Sequence, residues 1–405
     1  MSNSIKNKLT AAVAARQDAM TAFTRQLIEL PTENPPGKYY QRCITFIGEE
    51  LRKIGLEHDI INIPTPDSVA FPRYALSAFY GNGAKTLYFH GHYDVVPGAS
   101  DEQFCPFVKD GKLYGRGSSD MKSGLAAMIY AIDALRQCDL ELNGRIGLLI
   151  VPDEETGGAL GSQYLADKGL LGKNGIGALT AEPTSGVIWN ANRGALSLKI
   201  MVKGKSAHVC LQHQGVNAFE DMLTVARELA ELKQEVEQHQ TDYHVEPAEA
   251  RRSILLLGGQ NAGGTAFNTV PGECWFTVDR RINPEEDFNV EKQRLFDLFN
   301  RLKSDGVNLE VEILQEGQAA GTPEDDPLAQ ELARSITETT GRRPAFELCP
   351  GLLETRFYSR QGIPALGYGP GLLEVSHGPD EYVPLENIPA CATIYALTAA
   401  RLLHP

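Results

Sequence analysis

The sequence predicts an α/β fold: a mixed, mostly parallel sheet with helices on both faces, into which a smaller α+β domain is inserted. Three observations lead there. Short, wholly apolar runs alternate with amphipathic helical stretches in the first half of the chain, the pattern of a sheet buried on both faces. From about residue 193 the runs give way to period-2 strands with one buried face. After about residue 317 the first pattern returns, and 405 residues are more than one core usually organises. The expected division is therefore 1–192 with 317–405 as one domain and 193–316 as the insertion.

The elements follow in order. Residues 7–30 read as a helix that stops at Pro31, and Asn34-Pro35-Pro36-Gly37 reads as a loop because consecutive prolines end a helix. Thr86 to His90 is a short buried strand. A helix is expected at about 122–136, with Leu125, Met128, Ile129, Ile132 and Leu135 on one face. Ile146 to Val151 is a continuous apolar run and reads as a parallel strand. In the insertion, Leu196, Leu198, Ile200 and Val202 alternate with Ser197, Lys199 and Met201. A helix at about 216–234 presents Phe219, Met222, Leu223, Ala226 and Leu229; strands follow at about 253–258 and 273–279. A helix at about 286–302 and a strand carrying Val307, Leu309, Val311 and Ile313 complete the order β-α-β-β-α-β, that of a ferredoxin-like sandwich.

Composition narrows the function classes. The net charge of −14 repels phosphate backbones, which argues against a nucleic-acid partner. The seven cysteines are odd in number, widely spaced and without a Cys-x-x-Cys pair, so a reducing, cytoplasmic location is expected. No stretch approaches the roughly 20 apolar residues of a membrane span, and no signal peptide is visible.

Four segments put polar residues where a purely structural strand end has no need of them. His92 and Asp94 follow the strand at 86–90, where open α/β sheets place ligands. His92 could ligate a metal while Asp94 accepts its other ring N–H. Asp120, after the turn Gly115-Arg116-Gly117, has two oxygens with which to bridge two cations. Asp153-Glu154-Glu155 follows the strand at 146–151; three adjacent acids repel one another unless something positive lies among them, and one Glu could ligate while its neighbour serves as general base. Glu182 follows another apolar stretch, and Ser376-His377-Gly378 comes much later. Taken singly, His92-x-Asp94 fits a local hydrogen bond, the acidic triplet a solvated loop, and His377 a surface histidine. Their joint occurrence at successive strand ends points to a metal site. The glycines at 115 and 117 lack the third of a dinucleotide-binding loop, and no Gly-x-Ser-x-Gly elbow occurs.

The motifs His92-Tyr-Asp-Val-Val-Pro97, Gly115-Arg-Gly-Ser-Ser-Asp-Met-Lys122, Asp153-Glu-Glu155, Glu182-Pro-Thr184 and His377-Gly-Pro-Asp-Glu-Tyr382 occur in that order. In this set the chain resembles the acetylornithine deacetylase, succinyl-diaminopimelate desuccinylase and carboxypeptidase G family of co-catalytic metallohydrolases. The resemblance implies that His92, Glu155, Glu182 and His377 are terminal ligands of two divalent metals bridged by Asp120, and that the Asp120–Met121 bond is cis. It implies Glu154 as general base and His208 of the inserted domain as oxyanion stabiliser, with Asp94 counted among the catalytic residues through its expected bond to His92. Asn268 and Arg356 would contact substrate, the arginine through a substrate carboxylate. Two imidazoles with carboxylates suit zinc, with cobalt or manganese as substitutes. Two such cations carry four positive charges, of which Asp120, Glu155 and Glu182 offset three and a hydroxide the fourth. The implied substrate is a small N-acyl amino acid or, as the alternative, a dipeptide or carboxypeptidase substrate. The insertion would act as a lid and as a homodimer interface. Two departures from the family pattern lie near the substrate: Gln212 stands where a proline is frequent, and Leu352-Leu353-Glu354-Thr355 replaces a Gly- and Asp-containing run. A rival class, a binding protein on the same fold, would lack some ligands or the base, yet all five ligands and Glu154 are present.

Overall fold

The structure, a computed structural model, describes residues 3–404. Contacts divide the chain into two units: one runs to Asn190 and resumes at Gly321–Glu347 and from Leu353, the other comprises Ala191–Ala320 with Leu348–Leu352.

The first unit is built on a nine-stranded sheet. Its path runs His58–Ile63, Arg73–Gly81, Arg145–Val151, Thr86–His92, Gly175–Thr180, Ala365–Gly367, with short strands beyond. The four strands from Arg145–Val151 to Ala365–Gly367 are mutually parallel, and the two before them are antiparallel. All seven residues of Thr86–His92 are buried, as a central strand covered on both faces requires. The helices Ser123–Gln137 and Asn387–Leu403 pack in one core with Phe89, Leu148 and Leu179, while Tyr88, Leu149 and Ala178 point into a second core with Leu165, Phe357 and Tyr358.

Two expectations change. The helix expected at 7–30 is two helices, Asn3–Ala14 and Gln17–Ile28. The break falls at Arg16, whose ψ of 4° leaves the helical region and whose Nε reaches Asp133 Oδ2 at 2.9 Å. The helix at 123–137 is buried on every side from Ser123 to Leu135, not along one stripe, because Asn3–Ala14, Gln17–Ile28 and Asn387–Leu403 cover the sides away from the sheet. Gly124 lies against the main chain just past the strand Gly175–Thr180: a Cβ there would lie 2.5 Å from the Ala181 carbonyl oxygen.

The second unit holds a four-stranded antiparallel sheet in the order Ile254–Gly263, Glu273–Ile282, Gly194–Lys203, Leu309–Gly317. That is the second, third, first and fourth strands of a β-α-β-β-α-β chain. The helices Ala218–Val236 and Phe288–Ser304 share one core with the sheet. Two details depart from expectation. Phe219 and Leu223 are 46% and 52% exposed; the buried stripe is Ala218, Val225, Leu229, Leu232 and Val236. Ile313 is also exposed, because a register shift between Ile313 and Gln315 ends the alternation.

Candidate metal centre

The parallel strands all end at one edge, and the polar segments follow them. His92 is the last residue of its strand; Asp153 to Glu155 follow Val151, Glu182 follows Thr180, and the loop with His377 follows Ala365–Gly367. Sheet order therefore brings residues as far apart as His92 and His377 to one edge. His92 Nε2 lies 3.3 Å from Asp120 Oδ1 and 3.8 Å from Glu182 Oε2. His377 Nε2 lies 3.2 Å from Asp120 Oδ2 and 3.2 Å from Glu155 Oε2. Two three-residue groups able to hold a cation result, His92–Asp120–Glu182 and Asp120–Glu155–His377, and Asp120 is common to both.

Two backbone features deliver these groups. Asp120 lies in a turn that precedes the helix at 123, and the Asp120–Met121 bond is cis. His377 has φ +62°, a left-handed conformation uncommon for a residue with a Cβ.

The electrostatics of the cluster fit a cation. Burial alone would raise the Asp120 carboxyl, yet hydrogen bonds from His377 and His92 hold it below the usual carboxylate range. Burial pushes Glu155 up to about 7 despite the His377 hydrogen bond, and raises Glu182 and, further, Glu154. His377 is pushed up to about 10 by hydrogen bonds to Asp120 and Glu155. His92 Nε2 and Asp120 Oδ1, both buried, have only each other, at 3.3 Å and without good hydrogen-bond geometry. Crowded acids and orphaned donor atoms aimed at one point are the chemistry of an oxygen- and nitrogen-lined divalent site.

Glu154 belongs to neither group. Its Oε2 approaches His92 Nε2 at 3.9 Å. Its main chain is held by Asp94, whose carboxylate accepts the N–H of Glu154 and of Glu155, each at 3.2 Å. The sequence expectation for Asp94 is that it orients His92, but the nearer acceptor of His92 Nδ1 is the Asp94 main-chain oxygen at 3.0 Å, against 3.4 Å for its carboxylate. That carboxylate is occupied by the acidic loop and by Asn34 Nδ2 at 2.9 Å.

Arg356 is 2% exposed. Its Nη1 donates to the Leu353 carbonyl at 2.7 Å and its Nη2 to the Gly157 carbonyl at 2.8 Å. The guanidinium thus braces the end of the acidic loop. In the second unit the pairing of Ala207–His208 with Thr269–Val270 brings His208 beside Asn268, and the Val209 N–H donates to the Asn268 carbonyl at 2.9 Å. His208 is exposed, and its Nδ1 accepts from the Cys210 N–H.

Several supporting residues escape a reading of the sequence. Asn34 ties Asp94 to Asp153 and Thr156, although it reads only as a loop before two prolines. Asp153, one of the three adjacent acids, is structural: it accepts from Thr156 Oγ1 and the Leu160 N–H. Lys122, fully buried, donates to the carbonyls of Leu27 and Leu30 and ties the helix Gln17–Ile28 to the turn of Asp120. His90 contacts Glu354, Ser162 and Tyr358 through its two ring nitrogens. None of these is within ten residues of its partner except in the acidic loop, so no local pattern marks them.

The profile of peptidase family M20/M25/M40 matches residues 88–401. A protein of Gluconacetobacter diazotrophicus named succinyl-diaminopimelate desuccinylase is 30% identical over 412 residues, covering 98% of this chain and all of its own. Among solved structures, a dipeptidase of Saccharomyces cerevisiae is similar with a TM-score of 0.75 and 16% identity over 98% of each chain. A dinuclear metal-binding peptidase of Bacillus subtilis is similar with a TM-score of 0.69 and 15% identity, over 96% of this chain and 99% of its own.

Proposed function

The chain belongs to peptidase family M20/M25/M40, and from that premise we propose that it removes the acyl group from an N-acyl amino acid, using two divalent cations held at the two groups that share Asp120. The observation that carries this reading is the division of labour within one carboxylate: Oδ1 of Asp120 faces His92, and Oδ2 faces His377.

His92 and Glu182 would hold one cation, Glu155 and His377 the other, and Asp120 both. Bound there, the cations supply the positive charge that acidifies a water and polarises the scissile carbonyl. Zinc suits two imidazoles and three carboxylates, with cobalt or manganese as substitutes. Glu154 takes the proton of the attacking water and returns it to the leaving nitrogen. Its burial, which raises its proton affinity, supports that exchange. His208 would stabilise the oxyanion, with Asn268 beside it against the substrate. Arg356 adds a buried positive charge near Glu154 and would meet the substrate carboxylate. The relative's name supports a succinyl group as the acyl group.

We further propose a homodimer formed through the inserted unit, supported by the exposed Phe219 and Leu223. We also propose a cytoplasmic location, supported by the seven widely spaced cysteines, which form no disulfide bond among the described residues; no described helix is long and apolar enough to cross a membrane.

The test is a screen of N-succinyl, N-acetyl and N-formyl amino acids and dipeptides against chain reconstituted with zinc or cobalt, reading release of the free amine. The expected result is the highest kcat/KM on an N-succinyl or other N-acyl amino acid and none after chelation. Preference for dipeptides would install the peptidase reading, to which the likeness to a dipeptidase fold adds weight.

A further inference from the structure

The two groups that share Asp120 are not supported alike. His92 and Glu182 sit at the ends of neighbouring parts of the central sheet, and His92 is oriented by the main chain of Asp94. His377 sits on a loop, its ring is half-exposed, and its backbone is left-handed. Something else must hold it opposite Asp120.

One buried ion pair meets that need. Arg116 and Glu381 are each 2% exposed, and Arg116 Nη1 lies 2.6 Å from Glu381 Oε2. The other carboxylate oxygen, Oε1, accepts the N–H of Ser119 at 2.9 Å and of Asp120 itself at 3.1 Å. Nη2 of Arg116 donates to the carbonyl of His377 at 3.1 Å. The Glu381 carbonyl accepts the Gly115 N–H at 3.0 Å, and Gln103 Nε2 donates to the carbonyls of Gly378 and Pro379. The pair therefore grips the main chain of Asp120 on one side and of His377 on the other. Arginine suits the place because its planar fork serves two acceptors at once, which an ammonium does not do in fixed geometry.

We propose that Arg116 and Glu381 are positioning residues that set the metal affinity of the Asp120–Glu155–His377 group more strongly than that of His92–Asp120–Glu182, because they hold His377, which belongs to the first group alone, as well as the shared Asp120. This rests on the two-cation reading above. Neither residue touches a cation; both act through the backbones of two ligands. Partners of this kind typically change metal affinity about 10- to 100-fold when lost.

The experiment is a titration of chelator-treated full-length chain with cobalt, followed by calorimetry and by visible absorption, with Glu381→Gln compared to the unaltered chain. Two binding steps are expected in the unaltered chain. In Glu381→Gln the tighter step should persist and the weaker one fall about 10- to 100-fold in affinity. Should Glu381→Gln fail to fold, Arg116→Lys, which retains the charge but not the fork, carries the same expectation. A melting temperature of the metal-free variant close to that of the metal-free unaltered chain separates loss of positioning from loss of fold. Two unchanged steps, or two steps weakened in parallel, overturn the proposal. No cobalt uptake by the unaltered chain overturns the two-cation reading beneath it.

Discussion

In the proposed reaction Asp120 and Glu154 have different tasks at the scale of single residues, and position separates them. Both are acids at strand or turn ends, and both are largely withdrawn from water. Asp120 has a histidine on each oxygen, which keeps it ionised. Glu154 has only a distant approach to His92 and carboxylate neighbours in Glu182 and Glu155, so burial raises its proton affinity. A group that holds its proton loosely enough to give it up, and tightly enough to take it, is what a general base needs. Glu154→Ala should keep both cations, as measured by metal analysis, and lose about two to four orders of magnitude in turnover. Turnover within a few-fold of the unaltered chain would remove Glu154 from the reaction, and loss of metal would make it a ligand instead. Its neighbour Asp153 shows that adjacent acids in one motif need not share a task, since its oxygens are taken by the turn itself.

At the scale of elements, the ends of parallel strands and one outward-facing helix stripe matter most. Four parallel strands point their carboxyl ends at the same place, which is why loops distant in sequence converge there. Gly124, at the start of the helix Ser123–Gln137, has no room for a Cβ against Ala181, one residue before the proposed ligand Glu182. In the inserted unit the helix Ala218–Val236 turns Phe219 and Leu223 to solvent. Apolar side chains one turn apart on an exposed face are a feature of surfaces that are covered in an assembly. Phe219→Ser with Leu223→Ser should shift the chain from dimer to monomer, read by light scattering, without lowering the melting temperature of the unit. A monomeric unaltered chain, or a dimer untouched by the double substitution, would reject this helix as the interface.

For the whole molecule, the metal-free site is a source of pH-dependent instability. Glu155 rises from an ordinary 4.5 to about 7, chiefly through burial. A raised carboxyl contributes its stability fully below its unfolded value, and that stability is lost as pH rises through about 7. His377, raised from 6.5 to about 10, follows the same direction: its hydrogen bonds to Asp120 and Glu155 stabilise the metal-free fold below 6.5, and that contribution fades as pH rises through about 10. Cations compete for the deprotonated forms of both groups, so binding releases protons and strengthens with pH. The gap in melting temperature between zinc-bound and chelated chain should therefore widen from about pH 5 to about pH 8. A gap that stays constant over that range would mean these carboxylates and His377 are not the groups that meet the cations.

Much of this was legible in the amino-acid order alone. Apolar runs and the switch from helical to period-2 patterning reveal two kinds of domain, because burial on one face or two leaves a local imprint. The motifs around His92, Asp120, Glu155 and His377 are legible because each proposed ligand sits beside its own strand or turn. What only the tertiary structure decided is everything that depends on a partner far along the chain. The Arg116–Glu381 pair spans 265 positions, and Asn34 reaches Asp94 across 60. The acceptors of Arg356 are main-chain carbonyls with no side-chain signature. The outward turn of Phe219 follows from which stripe of its helix meets the sheet, since Val225, Leu229 and Leu232 offer the sheet a second apolar face. Local chemistry writes itself into neighbouring residues, whereas a contact between distant segments exists only once the sheet has brought them together.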